Sequence, residues 1–280
     1  MKLFREKIWF LLAIILVIVS AWNFPIMGVW KSLVVYVHET FHALGAILTG
    51  SQVQEISLIS DESGVTKTIN KTDFSFVVTV SFGYIGSSLT GGFFLYRGFQ
   101  EKFSRVILFC FSLIILTFSY IYTFKFASSF QIILYWCLFF LASALISRNL
   151  SSLILITLGT CMSLYSIYDL VDFMGKIEFT DAGILAKWIL GEKNPTVPHL
   201  ARIIALIWSV ISIGVIIFFT AKSISKKLNE EEQKIENILN KLEDGSVKPD
   251  VAEWFIKKGV DFDGKPISKE ILEKIDKDKK

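Results

Sequence analysis

Charge, cysteine, proline and histidine are all scarce in this chain of 280 residues: 20% of it is charged, and it holds 3 Cys, 5 Pro and 3 His. So little charge and proline, beside 25 Phe and 7 Trp, excludes intrinsic disorder. A formal net charge of +3 is too small and too dispersed for a nucleic-acid-binding surface. Cys110, Cys137 and Cys161 all lie inside apolar runs, so they supply neither a disulfide framework nor a cysteine zinc site and read as packing residues. What fills the chain is apolar. With 52% hydrophobic residues and a mean hydropathy of +0.54, it is not a soluble globular domain.

A spanning helix needs roughly 20 consecutive apolar residues. Uncharged runs cover 8–22, 74–96, 106–124, 126–147, 149–168 and 203–221, and a seventh, 32–49, is broken only by Glu39 and two histidines. This predicts an all-α polytopic membrane protein with six to seven membrane helices, placed in the cell membrane as a multi-pass protein. The first run follows the basic stretch Met1 to Lys7, and Ser20-Ala-Trp22 leads into Asn-Phe-Pro without a small-residue cleavage site. An uncleaved signal anchor is therefore expected.

Between Ser51 and Asp73 the pattern changes to period two. Val53, Ile56 and Leu58 alternate imperfectly with polar residues, Asp61-Glu-Ser-Gly64 is a turn signal, and Val65 to Ile69 resumes; residues 51–73 read as a β-hairpin. A second polar connection, 171–202, holds a short helix from Thr180, a plausible N-cap, to Leu190. Four runs separate the two, and four is even, so both are expected on one side of the membrane. The other side receives Arg97, Lys102, Arg105, Arg148, Lys222, Lys226 and Lys227 against Glu101, which marks it as cytoplasmic. The basic N-terminus also favours that side; either 32–49 enters without fully crossing, or one of the two charge clusters is misleading. Absolute orientation stays open.

Charge also divides the chain. Residues 222–280 carry 14 Lys against 14 acidic residues, whereas 1–221 carry 15 Lys and Arg against 12. The expected domains are thus a membrane-embedded 1–221 and a charged, soluble, helical tail 222–280. In the tail, Leu228, Ile235, Ile238, Leu239 and Leu242 form a partial apolar stripe, Asp250 can cap a helix through Ile256, and Ser268 another through Ile275.

Inside the seventh run, residues 38–42 read His-Glu-Thr-Phe-His. On a helix, i and i+4 share one face, so His38 and His42 can grip one Zn²⁺ while Glu39 stands beside it as the catalytic base for a metal-activated water. Ionisable groups in an apolar helix are costly and by default functional. The bland reading is that the three side chains only hydrogen-bond between helices.

Val37 to Gly50, followed by a hairpin ending Asp61-Glu-Ser-Gly-Val-Thr-Lys-Thr68, resembles the site-2 protease group of membrane zinc metallopeptidases, and its peptidase-B-like branch in particular. Gly83-Tyr-Ile-Gly86 with the small residues to Gly92, Tyr168-Asp169, and Thr180-Asp-Ala182 ahead of a tryptophan-containing last span extend the likeness over roughly 30–220. The resemblance implies a third metal ligand, an Asp near the start of a later helix. Asp181 in Thr-Asp-Ala-Gly183 is the nearest match and Asp169 its competitor, with His199 and Asp172 behind them; the chain lacks the Asn-Pro-Asp-Gly stretch of better-known members. It also implies that the 83–92 segment packs beside the histidine helix.

The function expected is a membrane-embedded zinc metalloprotease acting on peptide bonds of membrane or membrane-associated protein substrates, with the lipid bilayer as its surroundings and no nucleic-acid partner. The hairpin offers an edge to which a substrate strand can add. The alternatives are a non-catalytic metal-binding scaffold and an ion or solute transporter using the His/Glu cluster; transporters usually carry internal repeats, and none is found here. The sequence does not set the oligomeric state.

Overall fold

The computed structural model describes residues 2–60, 63–101, 103–172, 177–224, 246, 248–260 and 266. It divides into two compact units, residues 9–224 and residues 1–8 with 225–280.

Helix α1 spans Lys2–Ala21 and α2 spans Pro25–Leu48, which opens with proline in its first turn, where the missing N–H has no intrahelical partner to lose. It closes in a Schellman arrangement. Gly50 takes a φ of +76°, Ser51 N donates to Ala46 O and Gly50 N to Ile47 O, and the chain reverses directly into the hairpin. Strands β1 (Gln52–Leu58) and β2 (Gly64–Ile69) pair antiparallel with Ile56 opposite Thr66, and an irregularity between Val53 and Glu55 interrupts the strict alternation, as the imperfect period suggests.

Helices α3 (Asp73–Gln100), α4 (Ser104–Tyr122), α5 (Ala127–Ile146) and α6 (Arg148–Asp172) follow, then a 3₁₀ turn at Ile177–Phe179, α7 (Asp181–Leu190) and α8 (Val197–Ile224). Thr72 and Ser75 cap α3 reciprocally, and Thr180 caps α7 as expected, its hydroxyl accepting from Gly183 N. In the other unit, α9 (Pro249–Lys258) forms where a helix capped by Asp250 was expected, but it begins two residues earlier, which puts Asp250 inside the helix and not at its cap. The expected stripe from Leu228 to Leu242 and the helix from Ser268 lie outside the described residues.

Helix α3 is central, packing on α2, α6, α7 and α8. One buried apolar cluster joins α2, the hairpin and α4 to α6; a second joins α3, the 3₁₀ turn, α7 and α8. Small polar residues point inward and find partners there: Ser88 donates to Ser212 (2.7 Å), Ser152 to Ser104 (2.9 Å) and Ser112 to Cys137 O (2.8 Å). Large apolar residues such as Ile114, Tyr120, Leu145, Ile207 and Phe218 point outward. An apolar exterior around an interior of apolar and small polar residues suits helices in a bilayer, which gain nothing by hiding leucine from lipid.

Among the described residues four helices are long and apolar enough to cross a membrane, within Asp73–Gln100, Ser104–Tyr122, Ala127–Ile146 and Val197–Ser223. The expected count of six to seven is not reached on length and hydropathy. The apolar part of α1, Ile8–Ala21, is short. His38, Glu39 and His42 interrupt the run in α2, and the side chains of α6 are described only as far as Tyr165. What holds is a mostly helical protein with one small hairpin.

Candidate metal centre

His38 and His42 lie one turn apart on α2, both buried, with ring centroids 4.6 Å apart. Asp181 is the first residue of α7, where Thr180 fixes the helix start by accepting from Gly183 N at 3.1 Å and donating to Ile177 O at 2.8 Å. Asp181 Oδ2 stands 3.1 Å from Nε2 of His38 and 3.1 Å from Nε2 of His42, and the two nitrogens are 3.0 Å apart. Three donor atoms from opposite ends of the bundle's sequence thus converge on one point.

The arrangement fits a metal ion better than a hydrogen-bonded triad. His42 Nδ1 lies 2.7 Å from Thr79 O, a carbonyl that can only accept, so Nδ1 carries the ring proton. A neutral His42 then presents the Nε2 lone pair to the Asp181 oxygen, another acceptor, and the two need a metal ion or a proton between them. A carbonyl behind the ring that fixes which nitrogen faces the metal is the usual support of a ligand histidine. Two imidazole nitrogens and one carboxylate oxygen are a zinc-type donor set. Their 3.0–3.1 Å separations approach the roughly 3.3 Å between tetrahedral ligands with zinc bonds of about 2.0–2.1 Å.

Gly83 explains how α3 comes so close. A Cβ there would collide with the His42 ring and lie 2.8 Å from His38 Cε1, so only glycine lets the backbone of α3 back onto both imidazoles. The glycine segment does pack beside the histidine helix, as the resemblance implied. The ring of Tyr84, next to Gly83 on α3, lies 4.8 Å from His38 and is itself stacked on Trp208 of α8, and Tyr165 of α6 lies 5.9 Å from His38.

Glu39, also buried, is reached by the hairpin. Thr66 Oγ1 stands 2.7 Å from its Oε2 and 2.9 Å from its main-chain O. The Thr66 contact, the Thr79 carbonyl behind His42 and the close approach of Gly64 were not foreseen. A carbonyl leaves no mark in sequence because every residue has one, and a strand threonine has no spacing that ties it to a helix before the hairpin docks.

Of the other candidates, His199 is exposed near the start of α8 and stands outside the cluster. Asp169 and Asp172 fall in the last turns of α6, where side chains from Ser166 on lie outside the described residues.

No curated protein and no solved structure matches the chain. The peptidase M50B-like family matches it from residue 11 to residue 219, which takes in α2, the hairpin, α3 and α7 and with them every group just described. With well over half its length matched, and with its paired histidines and Asp181 converging inside the matched region, the chain belongs to the peptidase M50B-like family.

Proposed function

We propose that this protein is a multi-pass membrane zinc metalloprotease that hydrolyses peptide bonds of membrane or membrane-associated proteins. The observation that carries the reading is the convergence of Asp181 Oδ2 with His38 Nε2 and His42 Nε2 of the helix that also carries Glu39, in a chain of this family. His38, His42 and Asp181 would hold the ion, two imidazoles and a carboxylate being a donor set that hydrolytic zinc uses. Bound there, zinc supplies a Lewis acid that brings the pKa of its water toward about 7 and polarises the scissile carbonyl.

The chain's own residues do the rest. Glu39 takes the water proton on its carboxylate and delivers it to the leaving amine nitrogen. Thr79 O keeps the His42 ring turned with Nε2 toward the site, and Tyr84 and Tyr165 wall in His38. The hairpin is a two-stranded sheet, so a substrate segment can add to an outer strand edge with its backbone extended, the form in which a peptide bond is most accessible.

Glu39→Gln separates this reading from a metal-binding scaffold or a transporter. The detergent-purified variant should retain zinc at the wild-type stoichiometry and lose proteolysis of a membrane substrate by at least about 100-fold. Zinc bound equally by both proteins with no proteolysis by either would favour the scaffold, and undiminished proteolysis by the variant would remove Glu39 from its role.

A further inference from the structure

The second strand of the hairpin lies directly on the residue between the two histidines. Thr66 Oγ1 faces both the side-chain Oε2 of Glu39, at 2.7 Å, and the main-chain O of Glu39, at 2.9 Å. Gly64, two residues earlier and so on the same face of β2, is pressed against the same side chain; a Cβ there would lie 2.6 Å from Glu39 Cγ and 3.1 Å from Cδ.

We infer that β2 positions the general base, Thr66 orienting the Glu39 carboxylate and Gly64 providing the gap that admits it, so that the catalytic competence of the site depends on the docked hairpin. This rests on Glu39 being the proton acceptor proposed above. Position 39 lies about 100° round the helix from 38, off the face that His38 and His42 share, so its side chain must be steered back toward the site. The single Thr66 proton, shared between the carbonyl and the carboxylate of one residue in a three-centre hydrogen bond, ties that side chain to its own backbone and restricts its rotation. Thr66 is in turn held by the core. Its cross-strand partner Ile56 is fully buried and, directly opposite, points to the same face, and Leu58 N reaches Ser129 Oγ of α5 at 3.4 Å.

The test compares Thr66→Val, Thr66→Ser and Gly64→Ala in the full-length, zinc-loaded protein. Thr66→Val should keep its zinc and hold KM within about twofold while kcat falls about 10-fold to 100-fold, the signature of a lost transition-state alignment rather than lost binding. Thr66→Ser, which keeps the hydroxyl, should restore kcat to within about threefold, and Thr66→Val added to Glu39→Gln should cause no further loss. A second readout needs no activity: in metal-free protein labelled with ¹³C at glutamate carboxyl carbons, the resonance absent from Glu39→Gln should move in Thr66→Val and Gly64→Ala and stay in Thr66→Ser. Wild-type kcat in Thr66→Val, or a Glu39 resonance unmoved by it, would overturn the inference. Full activity in Glu39→Gln would instead overturn the protease reading beneath it, whatever Thr66→Val does.

Discussion

A carboxylate oxygen 3.1 Å from two imidazole nitrogens, buried together, is held by a shared metal ion or by protons on the rings, and zinc content tells the two apart residue by residue. Asp181→Asn replaces a charged oxygen donor with a weaker neutral one. Zinc measured by elemental analysis after purification should fall well below the wild-type content, whereas Asp169→Asn should keep it; full occupancy in Asp181→Asn would remove that residue from the site. Gly83→Ala tests the same centre from behind. A methyl group there meets both rings, so zinc content should drop while helix content by circular dichroism stays at the wild-type level.

At the scale of elements, the hairpin is the smallest piece of regular structure and one of the most consequential. A two-stranded sheet is marginal by itself, and this one persists because Ile56 is fully buried in the cluster formed by α2 and α4 to α6. Ile56→Ala should destabilise the docked hairpin by about 2–5 kcal/mol, as truncation of a buried isoleucine does elsewhere. Amide hydrogen exchange should quicken across residues 52–69 and not across α3 or α8; uniform exchange throughout would mean that the hairpin opens only with the whole fold. Helix α7 has a comparable part on the other side of the site, since its N-cap at Thr180 sets where Asp181 begins.

For the whole molecule, the residues of the candidate centre, the hairpin that touches Glu39 and the family match all fall within the unit 9–224. The charges after it, 14 of each sign from 222 to 280, are balanced and add nothing to the net +3. A chain ending at Ile224 should therefore bind zinc with the stoichiometry of the full chain in detergent; loss of zinc on this truncation would show that the tail helps to build the centre.

Much of this was written in the sequence, because local chemistry suffices for it. Bilayer residence follows from composition, the helices from uncharged runs, the hairpin from a switch to period two, and the pairing of His38 with His42 from helical spacing alone. The number of membrane-crossing helices was not legible in the same way: α2 is apolar except where the site interrupts it, so function and hydropathy compete within one helix. Nor did local chemistry choose among the candidates for a third donor. Asp169, Asp172, His199 and Asp181 all offered suitable groups, and among the described residues it is Asp181 that the packing of α7 against α3 and α8 brings to a histidine 139 residues earlier. The carbonyl of Thr79, the hydroxyl of Thr66 and the missing side chain of Gly83 belong to the tertiary structure for the same physical reason. Each acts by where the backbone of another element comes to lie, and no pattern within a single segment records that distance.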